Sequence, residues 1–302
     1  METLISSRLY MHLPYHENSG YWHPFYWDVE QKAELTPIRL AYDQGWIKQT
    51  DVEYALLEWL AVEEAGFASP DIQQYWDGDD REKILLTDEV RQYRQATYTK
   101  LIDYVQNTLS EVEAYSLSAR HSYRSREQGI QWSFIVGKQS NGDWMGIAPT
   151  MPRETGDYLT ELFDLSASTP IEPDLGDAAK LPAPLTALIA ELPPIKIYGW
   201  YDGGYNHVHF YGLQVVYGKS RDAAIERLWQ KAQLLEMAQF NQFHYKLGEH
   251  YSRISRFLQS AVSEPTLYRF CLWDLEMLYL TGKVEGKNQV GMCLQSQFTY
   301  NP

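Results

Sequence analysis

Along this chain of 302 residues the apolar positions switch between two periods. In 98–115, YTKLIDYVQNTLSEVEAY, Leu101, Tyr104, Val105 and Leu109 recur at three- and four-residue spacing. That spacing puts them on one stripe of a helix, and Thr87 is its expected N-cap. The stretch 51–66, DVEYALLEWLAVEEAG, predicts a second amphipathic helix with Leu56, Leu57, Leu60 and Ala61 on one face. PLTALIAEL at 184–192 predicts a short helix with proline in its first turn. A long helix is expected from Ser220 onward, broken at Gly248. Strand-like runs fall at 22–29 (WHPFYWDV), 36–42 (TPIRLAY), 195–202 (IKIYGWYD) and 208–218 (VHFYGLQVVYG). The last two predict a hairpin about Gly203 and Gly204.

Part of this pattern occurs twice. YTKLIDYVQNTLSEVEAY aligns without a gap on YSRISRFLQSAVSEPTLY, 153 residues later. Tyr98, Gln106, Ser110, Glu111 and Tyr115 recur as Tyr251, Gln259, Ser263, Glu264 and Tyr268. A second block, WSFIVGKQSNGDWMGI at 132–147, matches MLYLTGKVEGKNQVGM at 277–292, now 145 residues apart. Gly137, Lys138 and Gly146 recur there as Gly282, Lys283 and Gly291. The change of offset places the extra residues of the first copy in the polar stretch 120–129. Each block reads as a strand, a polar turn with Gly142 or Gly286, and a returning strand. Gly146 and Gly291 inside the returning strands predict a bulge or a close backbone approach. Eight of the 14 prolines lie in 149–194, and 166–183 is rich in Pro, Ala and Asp. The expected organisation is a first domain at 1–165, a linker at 166–183 and a second domain at 184–302. The expected fold class is α+β, with two tandem α/β/α sandwich-like domains, each a largely antiparallel sheet flanked by helices.

Charge narrows the functions. There are 26 Lys and Arg against 40 Asp and Glu, a formal net charge of −14. A phosphate backbone or an anionic membrane surface needs clustered cations, so neither nucleic acid nor membrane is an expected partner. No apolar run is long enough to span a bilayer, and 1–15 lacks the basic start and apolar core of a signal peptide. The expected location is cytoplasmic. Cys271 and Cys293 lie in apolar strand-like runs and read as reduced thiols. Tyr (23) and Trp (10) are abundant, and both types suit protein interfaces as well as cores.

The order of these motifs resembles a known family. A helix, the S-E-x(3)-Y stretch, an apolar strand ending in G-K, a polar turn and a returning strand with G-[IM] are similar to the C-terminal half of the cyanobacterial nuclease A inhibitor family. FIVGKQSNGDWMGIAPT at 134–150 carries the resemblance most fully, and LYLTGKVEGKNQVGM at 278–292 carries it less fully. HPFYWDV and IKIYGWYD resemble the family's early aromatic strand, and PLTALIAEL its first helix. The resemblance implies an α/β/α sandwich per repeat and a binding role rather than catalysis. Family members block a nuclease partly with acidic groups. This chain departs from the family in being tandem, and its last residues, FTYNP, do not match the family's terminus.

Candidate chemistry is sparse. No Walker A, G-x-G-x-x-G, G-x-S-x-G or H-E-x-x-H sequence occurs. His207 and His209 form an H-x-H whose side chains share one strand face, with Tyr205 and Tyr211 beside them. That pair can chelate zinc or iron if His244, Glu249 or His250 completes the set, which defines the alternative reading of a metal- or small-molecule-dependent enzyme. His12, His16 and His23 read as surface histidines, and 77–82 as a solvated acidic loop rather than a calcium loop. The leading expectation is a non-enzymatic module, without a cofactor, that binds and regulates another protein. Its contact residues are expected to be Trp200, Tyr201, Tyr205, His207, His209 and Trp144.

Overall fold

The structure is a computed structural model, and it describes residues 10–11, 20–68, 87–118, 131–150, 168–171, 181–200, 206–240, 258, 260–272, 275–284 and 288–297. In chain order its elements begin with β1 (Tyr10–Met11), β2 (Gly20–Trp27), α1 (Val29–Lys32), α2 (Pro37–Asp43), β3 (Ile47–Thr50) and α3 (Val52–Ala68). There follow α4 (Asp88–Thr108), β4 (Ser110–Ser118), β5 (Gln131–Lys138), β6 (Trp144–Pro149) and β7 (Ser168–Pro170). Next come α5 (Ala183–Ala190), β8 (Ile195–Trp200), β9 (Asn206–Tyr211), β10 (Leu213–Gly218) and α6 (Arg221–Lys231). The described part ends with β11 (Leu235–Phe240), β12 (Ser263–Leu272), β13 (Leu275–Lys283) and β14 (Gln289–Gln297). The fold class is α+β, and every pairing among the described strands is antiparallel.

The first sheet runs β10-β6-β5-β4-β3 and the second β1-β2-β14-β13-β12-β11-β7. The first sheet and the run β2-β14-β13-β12-β11 of the second are copies in register. Ile47 lies opposite Leu117 and Leu235 opposite Phe270. Ser110 lies opposite Lys138 and Ser263 opposite Lys283. One strand in each sheet comes from the other half of the chain. β10 pairs with β6, placing Val216 opposite Gly146, and β2 pairs with β14, placing Phe25 opposite Gly291. Strand pairing therefore crosses the stretch 166–183, and β7 within that stretch pairs with β11. Neither half of the chain closes its own sheet.

Alternation along the strands divides the core. Tyr115, Phe134, Val136 and Trp144 of the first sheet and Phe270, Met277 and Tyr279 of the second enclose Ile38, Leu40, Ala224, Ile225, Leu228 and Trp229. Helices α2 and α6 thus form a layer between the sheets. On the other face of the first sheet, Ala114, Ile135, Met145 and Ile147 pack under Trp59, Tyr98, Leu101 and Val105 of α3 and α4. On the outer face of the second sheet Leu267, Leu278, Leu280, Met292 and Leu294 are buried. Leu258, one repeat after Val105, is helical and fully buried like it.

Three expected elements differ. The run 208–218 divides at Gly212, so that β9 pairs with β8 while β10 joins the first sheet on β6. Residues 36–42 begin a helix rather than a strand: the Thr36 hydroxyl accepts from the Arg39 amide at 3.3 Å, and Pro37 takes the first turn. The helix from Ser220 is capped as expected but stops at Lys231. There Gln233 turns left-handed (φ 58°) and Leu234 N–H bonds the Trp229 carbonyl at 2.8 Å. Gly45 (φ 70°) ends α2 in the same way, with Trp46 N–H on Ala41. Gly248, Gly286 and the stretch 120–129 lie outside the described residues.

The repeated S-E and G-K pairs have one physical cause. Glu111 and Glu264 both carry positive φ (50° and 51°), and each sits in an irregularity of the ladder. The lysine of the facing strand neutralises each glutamate, Lys138 to Glu111 at 2.8 Å and Lys283 to Glu264 at 2.5 Å. The preceding residue leans over the glycine. A Cβ on Gly137 would meet Leu109 Cδ1 at 2.8 Å, and one on Gly282 would meet Val262 Cγ2 at 2.4 Å. Gly146 makes the close approach expected of it, because α6 lays Leu228 2.7 Å from where its Cβ would be.

These glycines separate two costs. Gly45→Ala meets no neighbour within 4 Å and is expected to lose about 1 kcal/mol through its positive φ alone. Gly282→Ala, against β-branched Val262 and the Ser263 carbonyl, is expected to lose about 2–4 kcal/mol. Urea denaturation of both variants measures the difference. Equal losses would contradict the packing account.

Candidate functional site

Besides β1 and β7, which extend the second sheet alone, the internal symmetry among the described residues has two interruptions, and they meet. One is the insertion between β3 and α4, which carries α3. The other is the segment between β7 and β10, which carries α5, β8 and β9. Among the described strands β8 and β9 pair only with each other. They are held against α3 and α4 by buried polar contacts. Arg94 of α4 donates to both oxygens of Glu63 on α3, at 3.0 and 2.8 Å, and to the Pro193 carbonyl ahead of β8 at 2.9 Å. The Tyr98 hydroxyl donates to Glu63 at 2.7 Å, and the Tyr211 hydroxyl at the end of β9 reaches the Trp59 carbonyl at 3.4 Å. Arg94 and Glu63 are 3% and 5% exposed, so their charges are compensated within the protein. Burial first, then the Glu63 carboxylate, pushes the Tyr98 hydroxyl well above its ordinary pKa, which keeps it a donor. Leu185 and Leu192 of the α5 region complete the apolar side of the joint with Val52, Ala55 and Trp59.

The outer surface of this layer is apolar and acidic. Tyr54 and Leu57 on α3, Val90 and Tyr93 on α4, and Leu181 ahead of α5 are all exposed. Leu57 and Ala61 were expected on the buried face, but both are exposed, Leu57 at 64%; Val52, Ala55 and Trp59 take that face, with Leu56 and Leu60 half-buried beside them. The segment 51–64 holds five acidic residues and neither Lys nor Arg. Asp51 and Glu53 are exposed, as is Glu191 beyond α5, which accepts from the Tyr93 hydroxyl at 3.2 Å. Burial raises the pKa of Glu58, partly offset by the Ser133 hydroxyl that donates to it at 2.5 Å.

The expected contact residues are distributed unevenly. Trp200 ends β8, and His207 and His209 lie on β9, opposite Gly199 and Ile197, two residues apart on one face of the hairpin. β8 and β9 pair as the expected hairpin requires, while Gly203 and Gly204 of its turn, Tyr201 and Tyr205 lie outside the described residues, as do His244, Glu249 and His250. Trp144 is not a surface residue. It is 8% exposed, packed in the core shared by the sheets, because the inner face of β6 meets α6. His23 is exposed on β2, and His12, His16 and the acidic stretch 77–82 lie outside the described residues. Cys271 and Cys293 lie on β12 and β14 with β13 between them, and they are not joined by a disulfide. Among the described residues, no group of three or more His, Cys, Asp or Glu is placed to hold a metal ion. Nor, among those residues, is any helix long and apolar enough to cross a membrane.

A second group of ionisable residues lines the seam between the halves. Tyr115 of β4 donates to Glu113, which pairs with Arg221 of α6 at 3.4 Å, and the exposed Tyr42 of α2 bonds Tyr115. On the other side of α6, burial and then the Asp222 carboxylate raise Glu226 to about 7. Tyr268, facing Glu226 and Glu34, is pushed up to about 12, chiefly by burial. No family model, curated protein or solved structure matches the chain.

Two measurements test these electrostatics. Arg94→Leu leaves Glu63 buried without its cation and is expected to cost about 3–5 kcal/mol in urea denaturation. Pairing it with Glu63→Leu should recover part of that loss; no recovery would contradict the pairing. Glu226 takes up its proton more readily folded than unfolded, so its stabilising contribution is full below about pH 4.5 and lost as pH rises through about 7. Glu226→Gln is expected to flatten the stability profile over that window and to raise stability at pH 8 by about 1–3 kcal/mol. An unchanged profile would contradict the assignment.

Proposed function

We propose that the protein is a non-enzymatic binding module that regulates or inhibits another protein, and that the partner presents a basic surface with apolar anchors. The observation that carries the reading is the coincidence of three features. The elements that break the internal symmetry pack together against α4, with α4 they expose five large apolar side chains (three of them on the symmetry-breaking segments), and their leading helix α3 has acidic residues without basic ones. Repeated elements build the common core. An insertion and a hairpin gathered on one outer face are free to serve recognition, as loops on a rigid scaffold do. Exposed Tyr and Leu anchors on segments that also expose Asp51, Glu53 and Glu191 suit a partner of opposite charge, because complementary potentials speed encounter and fix orientation. The motif resemblance to nuclease A inhibitors agrees in kind, since those are acidic proteins that bind a protein target.

The test uses the full chain, immobilised, against a native lysate, with Leu57→Asp/Tyr93→Asp as a second bait. Both side chains are exposed, so the fold is expected to persist. A stoichiometric partner should be retained by the wild type at about 50 mM salt and weakened at about 300 mM. The double variant should retain it at least tenfold less. Equal capture by both baits, or no stoichiometric partner, would contradict the proposal.

A further inference from the structure

We infer that the two halves of this chain are each other's binding partner, so that the molecule is a fused dimer held by reciprocal strand exchange. Each half offers the same receptor. In the first it is the edge of β6 with Gly146 beneath it, and in the second the edge of β14 with Gly291. Each half also offers the same ligand, a strand followed by a helix: β10 with α6, and β2 with α2. The seats correspond residue by residue. Trp144 faces Gly218 and Gln289 faces Trp27, and the two partner positions are the same 191 residues apart as Val216 and Phe25.

The helices that follow the strands make the contact selective. Leu228 of α6 sits over Gly146, where a Cβ would be only 2.7 Å from it. Trp229 packs edge-on against Phe134 of the first sheet and Phe270 of the second, at 6.2 and 6.4 Å. Trp46 from the first half reaches Phe270 at 5.2 Å, and Phe25 meets Tyr279 at 5.1 Å. Polar contacts between the halves fix the registers. Lys219 pairs with Asp143 at 3.3 Å and Arg221 with Glu113 at 3.4 Å. At the other seat the Asn288 side chain accepts from the Val29 amide and donates to the Tyr26 hydroxyl, each at 3.0 Å. A paired edge, an interdigitated aromatic core and charged contacts at the rim are the parts of an obligate protein interface. The covalent link through 172–180 raises the effective concentration of one half at the other, while the interface supplies the affinity.

The inference is tested on the full chain with a flexible insert carrying a protease site between residues 174 and 175. Uncut, this protein should unfold like the wild type. After complete cleavage, the two fragments should elute together as a one-to-one complex at micromolar concentration. They should unfold in one transition whose midpoint rises with protein concentration, unlike that of the uncut chain. Val216→Asp, at the β10–β6 seat, should raise the dissociation constant of the cut fragments at least tenfold. Fragments that separate under native conditions, or that unfold in two independent transitions, would overturn the inference. So would an affinity unchanged by Val216→Asp.

Discussion

The N–H and C=O groups along a strand edge must be paired or wetted, and an edge beside a buried aromatic core has little access to water. In this chain β6 and β14 end their own halves with such an edge. Neither half supplies the strand that covers its own edge. β10 covers one and β2 the other, and each then feeds a helix into the space between the sheets. Most of the remaining architecture follows. The helix layer is shared, the largest core is shared, and Trp229 cannot be assigned to one sheet.

Local chemistry is repeated where the symmetry requires it. The S-E bulge, the lysine that neutralises its glutamate and the glycine beneath the preceding side chain occur once per sheet, in matching registers. Symmetry is relaxed where it is not required. Gly45 ends α2, whereas Gln233 accepts the same left-handed turn at the end of α6. Among the described residues, α3 and the α5–β9 segment have no counterpart in the other half. They are joined by the Arg94–Glu63–Tyr98 network, which anchors the hairpin to the helical layer.

Much of this was legible in the sequence because it rests on short-range rules. Thr87 and Ser220 cap helices through their own hydroxyls, and the S-E and G-K pairs mark the repeated strands. Thr36-Pro37 is also a helix start, but the alternating apolar residues around it read more readily as a strand. The stop after Lys231 was hidden, since glutamine carries no mark of a left-handed turn. The exchange of strands was hidden for a deeper reason. Antiparallel pairing depends on which distant edge is open, and β10 has the same composition whichever sheet it joins. Trp144 and Leu57 show the same limit at the level of single side chains. The tryptophan points into the shared core and the leucine away from α3's buried face, and neither orientation follows from residue type.

If the sheets share one core, they must lose protection together. Native-state hydrogen exchange across a series of sub-denaturing urea concentrations measures this directly. The slowest amides of β4 and β5 in one sheet, and of β12 and β13 in the other, should converge on a common opening free energy with a common urea dependence. Contradiction would be clear if one sheet exchanged through its own opening, about 2 kcal/mol or more below the other and with a smaller urea slope.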